Sequence, residues 1–248
     1  MTQAVLITGA SRGIGRATAR LAAARGWSVG INYANNEAAA RETAALVERA
    51  GGRAQLLPGD VADEASVIAM FDGFMHAFGR LDGFVNNAGI VAPGMPLAAM
   101  DAARLKRIFD INVFGAYLCA REAVRRMSTQ HGGAGGAIVN VSSAAARLGS
   151  PNEYVDYAGS KAAIDTLTIG LSKEVGAQGV RVNAVRPGLI DTEIHASGGR
   201  PDRAAVLGAQ TPLGRAGTAD EVAETIVWLL SDASSYVTGA LIDVAGGR

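Results

Sequence analysis

The sequence predicts one α/β domain, a doubly wound parallel sheet of about seven strands with helices on both faces. Three observations carry this. Short, continuous apolar runs, the pattern of strands buried on both faces, alternate with segments of helical period. The chain has 248 residues, enough for one large domain that hides roughly 70–75% of its unfolded surface. The polar and glycine-rich clusters fall at the C-terminal ends of the strands, where open parallel sheets bind ligands.

Taken in order, Ala4–Ile7 is a continuous apolar run that enters Thr8-Gly9-Ala10-Ser11-Arg12-Gly13-Ile14-Gly15. A helical pattern to about Gly26 follows. Strand, glycine-rich turn and helix together form a phosphate cradle: the glycines let backbone approach closely, and a helix N-terminus offers free N–H groups to an anion. The spacing is G-x-x-x-G-x-G, not the G-x-G-x-x-G of the common fingerprint, and such a turn can also be only a tight connection. Ser28–Tyr33 predicts the second strand, 36–50 a helix closed by Gly51-Gly52, and Ala54–Leu57 the third strand, ending at Pro58-Gly59-Asp60-Val61. From Asp63, a predicted N-cap, to Phe78, helical spacing places Val67, Met70, Phe71, Phe74 and Phe78 in the core.

Residues 83–85 predict the fourth strand, which runs into Asn86-Asn87-Ala88-Gly89. A long helical pattern covers 101–129 and contains Asn112. Residues 137–141 form the fifth strand, with Ser142 and Ser143 at its end. A helix carrying Tyr157 and Lys161 runs to about Val175, and 180–185 is the sixth strand, stopped by Pro187-Gly188. Residues 191–217 have no clear period and lie after a strand end, so they predict either a cover over a site or an ordinary surface excursion. Thr218-Ala-Asp-Glu221 spells a capping box, and 240–244 is the last strand.

Lys+Arg and Asp+Glu balance at 23 each, which gives no electrostatic reason to expect a nucleic-acid or anionic-membrane partner. The single Cys119 cannot pair within the chain and is expected as a buried apolar residue. No metal-ligand spacing occurs, and His76, His131 and His195 are expected to be structural or at the surface. The first residues lack a secretory pattern and no apolar run is long enough to span a bilayer. A soluble cytoplasmic protein is the expectation.

Tyr157 and Lys161 stand at i and i+4, one above the other on a helix. A free tyrosine titrates near ~10. A neighbouring lysine cation favours the phenolate, making the pair a candidate acid/base. On spacing alone, a solvated helix face is by far the commoner explanation of such a pair.

These motifs together resemble the short-chain dehydrogenase/reductase family, nearest its 3-oxoacyl-carrier-protein reductase-like branch. The likeness runs from Thr8-Gly9-x-x-x-Gly13-x-Gly15 through Asp60-Val61, Asn86–Gly89, Asn112 with Ser143/Tyr157/Lys161, and Pro187-Gly188 to the end of the chain. It implies a Rossmann-type, dinucleotide-binding catalytic domain over 1–248. It further implies hydride transfer between nicotinamide and a ketone, aldehyde or secondary alcohol. Tyr157 would move the proton, Lys161 lower the tyrosine pKa and hold the ribose, Ser143 polarise the substrate oxygen, and Asn112 position a water. The family most often has one residue fewer between this serine and the tyrosine, so the extra residue falls in 149–156. Tyr154 lacks a lysine partner at 158 and is expected to be a decoy.

For the cofactor, the resemblance implies contacts from Gly9, Ser11, Arg12, Gly13, Ile14 and Gly15 and from Asn32 and Tyr33. It adds Asp60, Val61, Asn87, Ala88, Gly89, Tyr157, Lys161, Pro187, Gly188, Ile190 and Thr192. NAD-selective sites carry an acid at the end of the second strand. Here that end is Asn32-Tyr33-Ala34-Asn35, and Arg12 resembles the basic residue that meets a 2′-phosphate, so NADP(H) is expected over NAD(H). The resemblance implies a homotetramer joined through the helices of 101–129 and 157–175. Two alternatives stay open: a carrier-bound substrate greeted by Arg104, Lys106, Arg107, Arg125 and Arg126, which are otherwise ordinary surface charges, and a non-catalytic NADP-binding sensor.

Overall fold

The computed structural model describes residues 2–248. Seven strands form one parallel sheet: β1 (Ala4–Ile7), β2 (Ser28–Tyr33), β3 (Ala54–Pro58), β4 (Gly83–Asn86), β5 (Gly136–Val141), β6 (Val180–Pro187) and β9 (Leu241–Val244). Their order is β3-β2-β1-β4-β5-β6-β9. The chain therefore starts at the centre, builds outward to β3, then returns to β4 on the other side of β1. That reversal leaves a crevice above the carboxyl ends of β1 and β4, where no crossover closes the sheet.

Alternation along each strand feeds two cores. Val5, Ile7, Val29 and Ile31 pack under α1 (Gly13–Ala24), α2 (Glu37–Arg49) and α10 (Ala219–Leu230), joined by Val47, Val222 and Ile226. Leu6, Phe84 and Ile138 face the other way, onto α3 (Glu64–Phe78), α5 (Ala116–Met127) and α7 (Val155–Val175), meeting Phe71, Phe74 and Leu118. Phe71, Phe74 and Phe84 are fully buried, each contributing about 1.5–3 kcal/mol by leaving water. Of the five side chains expected in the α3 core, Val67, Met70, Phe71 and Phe74 are buried; Phe78 is only partly so, with the Arg53 guanidinium 5.4 Å from its ring centroid. Cys119 is buried, and burial pushes its thiol up to about 12.

Helix starts follow the expected chemistry. Asn36 accepts from the Ala39 N–H, Asp63 from Ser66, and Thr218 with Glu221 forms the complete capping box. The long helix expected over 101–129 is not uniform. It consists of α4 (Ala102–Phe109), a widened π-helical stretch (Asp110–Gly115) and α5. Two contacts account for the widening. Asn112 is drawn to Ile90 by both ends of its amide, and Gly115 lies so close to β3's exit that a Cβ would sit 2.8 Å from the Val61 carbonyl oxygen.

The irregular stretch after β6 is organised too. β7 (Ile190–Asp191) pairs in parallel with β8 (Gly217–Thr218), pinning both ends. Two short helices, α8 (Ile194–Ser197) and α9 (Arg203–Gly208), lie between them, and α6 (Ala145–Leu148) follows β5. Among the described residues, no helix is long and apolar enough to cross a membrane.

Candidate active site

The crevice is a cleft of about 540 Å³ lined from β1, β2, β3, β4, β5 and β6 exits together. Its glycine loop supplies Gly9, Ser11, Arg12, Gly13 and Ile14, and β2 supplies Asn32 and Tyr33. Asp60 and Val61 follow β3, and Asn87, Ala88 and Gly89 follow β4. Ser143, Tyr157, Lys161, Pro187, Gly188, Ile190 and Thr192 complete the side reached through β5 and β6.

Two expected residues stand behind the wall. A Cβ on Gly15 would lie 2.6 Å from the Gly9 carbonyl oxygen and 2.7 Å from Asn87 Nδ2. Glycine here lets α1 pass against β4's exit, and the residue packs the cradle. Asn112 is buried, its Oδ1 accepting from the Ile90 N–H at 2.8 Å and its Nδ2 donating to the Ile90 carbonyl at 2.9 Å. It holds the segment after Gly89 in place.

Side chains clamp the strand exits together. Thr8 Oγ1 accepts from the Asn87 and Ala88 N–H groups, both at 3.0 Å, while Asn87 Nδ2 donates to the Thr8 and Gly9 carbonyls. Asn32 Oδ1 accepts from the Gly9 N–H, and its Nδ2 donates to Leu57 and Gly59. The Asn32 amide thus ties β1, β2 and β3 and presents little free polarity to the cleft. Gly9 and Gly13 sit at φ +61° and +52°, values that admit glycine at no steric cost. No side chain caps the first N–H groups of α1, whose first residue, Gly13, lines the cleft. Glycine bends, an open helix N-terminus and closely packed backbone make a cradle that fits a pyrophosphate.

At the other end, Lys161 is buried and donates from Nζ to the Val141 carbonyl at 2.8 Å, with Nζ 5.7 Å from the Tyr157 ring centroid. A Cβ on Gly89 would lie 3.3 Å from that Nζ. Burial pulls the lysine down to about 8, and Asp165 opposes the shift. For Tyr157 the larger influence is burial, which raises the phenol; a polar contact with Ser143 lowers it. Lys161 Nζ is turned to the Val141 carbonyl beside that ring. Ser143 Oγ accepts from the Ala145 N–H at 3.1 Å.

Tyr157 stands in the first turn of α7, and that turn is fixed from outside. Asp156 is buried against Arg104 of α4 at 2.8 Å, and its Oδ1 also accepts from the Tyr157 N–H at 2.9 Å. Arg104 is therefore no free surface charge. Arg126 is likewise engaged, by Glu122 and Asp72. Arg107 does line the cleft, whereas Lys106 pairs with Asp110 outside it.

Sequence reasoning missed one wall of the cleft. Tyr154 is buried and lines the cleft, so it is not idle, although it has no lysine partner. The Arg203 guanidinium stacks 5.0 Å from its ring centroid and pairs with Glu153 through both nitrogens, at 2.9 and 2.8 Å. His195 also lines the cleft; its Nε2 lies 2.8 Å from the Ile190 carbonyl, and burial lowers its pKa. Leu148, Leu189 and Ile194 add apolar surface. The signal available in sequence was the departure in 149–156, where Ser150 and Asn152 adopt φ of +46° and +62°.

A profile described as enoyl-(acyl carrier protein) reductase matches residues 9–248. The chain belongs to the short-chain dehydrogenase/reductase family. It is an oxidoreductase of hydroxyl or carbonyl groups whose family binds a nicotinamide cofactor. It is 56% identical to an uncharacterized oxidoreductase, YgfF, of Escherichia coli, over 98% of each chain. It is 43% identical to the cis-4-hydroxycyclohexanecarboxylate dehydrogenase of Sinomonas cyclohexanicum, over 98% of this chain and 94% of that one. A crystal structure of the 3-ketoacyl-(acyl-carrier-protein) reductase of Brucella melitensis, complexed with NADH, superposes with TM-score 0.91 at 30% identity, over 99% and 98% of the two chains.

Proposed function

We propose that the protein is an NADP-dependent reductase of ketones, or dehydrogenase of secondary alcohols, with Tyr157 as the general acid/base. The observation that carries this is the meeting of Ser143, Tyr157 and Lys161 on one cleft with the glycine cradle. The cofactor, when bound, supplies or accepts the hydride. The protein's part is the proton and the geometry. Tyr157 gives its phenolic proton to the carbonyl oxygen as that oxygen gains charge, and Ser143 hydrogen-bonds the same oxygen. Lys161, charged below about pH 8, would offset the phenolate that remains and hold a ribose hydroxyl of the cofactor. Asn112 keeps the Gly89–Ile90 backbone beside it.

NADP is favoured by the end of β2. Ala34, Asn35 and Asn36 line the cleft there without a carboxylate, and exposed Arg12 lines the same cleft. Arg12→Ala should weaken NADPH binding about ten- to a hundredfold, the worth of a hydrogen bond to a charged group, and leave NADH nearly unchanged. Fluorescence titration with both cofactors reads this directly, and equal loss for both would refute the NADP assignment. The apolar substrate wall, and the ring alcohol named for the Sinomonas relative, favour a cyclic secondary alcohol or ketone over a carrier-bound chain. A panel of cyclic ketones with NADPH tests the activity; no turnover of any member would count against it.

A homotetramer fits the exposed Phe109, Phe114 and Tyr117 of the α4–α5 segment and Ile169 of α7. These apolar side chains lie on the two helices expected at the interface. A small-molecule substrate and a cytoplasmic location belong to the same proposal.

A further inference from the structure

One buried acid has no part in the scheme above. Asp165 lies one helical turn beyond Lys161 on α7, on the same face, and is buried. Its Oδ2 accepts from Arg186 Nε at 3.0 Å and from the second guanidinium nitrogen at 2.8 Å. Its Oδ1 is the one buried side-chain polar atom among the described residues without a hydrogen-bond partner. Leaving a carboxylate oxygen unsatisfied costs stability, and a buried ion pair is a poor way to gain any. A position that apolar packing would fill at less cost therefore calls for a different account.

We propose that Asp165, held by Arg186, is a positioning residue that sets the charge state of Lys161 and so the alkaline limit of turnover. The inference rests on the reading of Lys161 as a working cation. The groups facing Lys161 leave Asp165 as its counter-charge. On its own helix are Tyr157 and Asp165. From β5 it meets the Val141 carbonyl, from the exit of β4 the backbone of Gly89, and beside that glycine the neutral amide of Asn112. β6 contributes Arg186, which Asp165 partly neutralises, and β9 contributes Asp243, 4.0 Å behind that guanidinium. The cleft also holds the charged or titratable Arg12, Asp60, Arg107, Glu193, His195, Arg203 and Arg248, with Arg203 already spent on Glu153. Burial alone drives Lys161 towards its neutral form, and the negative charge of Asp165 works against that.

The sign is fixed. Removing the carboxylate must lower the lysine pKa, so that charge is lost at lower pH. Mere loosening of α7 would do the opposite, because admitted water lifts a desolvated lysine back towards its ordinary value. Competitive acetylation of the full-length protein across pH, with Lys161 followed by peptide mass spectrometry, reads that pKa without relying on activity. Asp165→Asn should move the Lys161 midpoint down by about 0.5–1 pH unit, the lower range for a nearby opposite charge. The alkaline limb of the kcat profile should follow. Should Asp165→Asn not fold, Asp165→Asn with Arg186→Gln replaces the ion pair by two neutral amides and should give a smaller downward shift.

An unmoved midpoint, or one displaced upward, would overturn the assignment and leave the proposed reaction untouched. A midpoint that moves down while the kcat limb stays would uphold the tuning of Lys161 and strike instead at its role in turnover.

Discussion

The two walls of the cleft are held by different means. On the cofactor side, buried amides and hydroxyls bind one strand exit to the next: Thr8 to Asn87 and Ala88, Asn32 to Gly9, Leu57 and Gly59, Asn112 to Ile90. Most of these contacts join backbone within a few residues of a strand's end, where the sheet has already restricted the chain. The segment 191–217, read here as a proposed cover, is anchored at its ends by the two-residue β7–β8 ladder. Between those ends it is held by Arg203 on Tyr154 and Glu153, by a 3.5 Å contact from the Tyr154 hydroxyl to the Gly198 carbonyl, and by a backbone bond from the Leu213 N–H to the Gly246 carbonyl. A wall built on the sheet can hold an invariant ligand. A wall built on a few side chains can open for a variable one.

The contrast can be broken at either wall. The larger effect is expected on the cofactor side. Gly15→Ala would drive a methyl against the Gly9 carbonyl and Ala10 Cα, backbone with no room to give, at a cost of about 1–3 kcal/mol. Urea denaturation should show that loss together with weaker binding of either nicotinamide cofactor. Unchanged stability would mean that the cradle yields more readily than its hydrogen bonds allow. At the cover, Arg203→Ala removes both the stacking on Tyr154 and the pair with Glu153, a carboxylate that Arg203 holds below its ordinary pKa. Because Glu153 is still about a third exposed, with 35% side-chain exposure, the expected change is modest. KM for substrate should rise about two- to fivefold with cofactor affinity unaltered. Equal loss of cofactor binding would show that the walls are coupled, against the contrast.

The same difference decides what could be read in the sequence. Strand exits are legible because buried runs such as Ala4–Ile7 end abruptly in Gly, Asn, Asp or Ser, and parallel sheets put all such ends on one side. Tyr157 and Lys161 were legible because the helical period fixes their mutual position before any tertiary contact is known. The absence of a lysine four residues beyond Tyr154 bears on catalysis and says nothing of shape. Arg203 and Glu153 lie far apart in sequence and meet only through tertiary structure. Arg104 looked like a surface charge for the same reason: its partner Asp156 belongs to another helix. The turn of Lys161 Nζ to the Val141 carbonyl was hidden too, since backbone acceptors leave no mark in a sequence. The π-helical stretch around Asn112 keeps enough helical period to pass for regular helix.

The most direct test of the account is Tyr157→Phe, which removes one oxygen and keeps the ring beside Lys161. Steady-state reduction of a ketone substrate and fluorescence titration with NADPH would be run on the same preparation. The account predicts a fall in kcat of about 10²–10⁴-fold with the NADPH dissociation constant essentially unchanged. Turnover at the wild-type rate would contradict it, because the proton would then have to come from some other group.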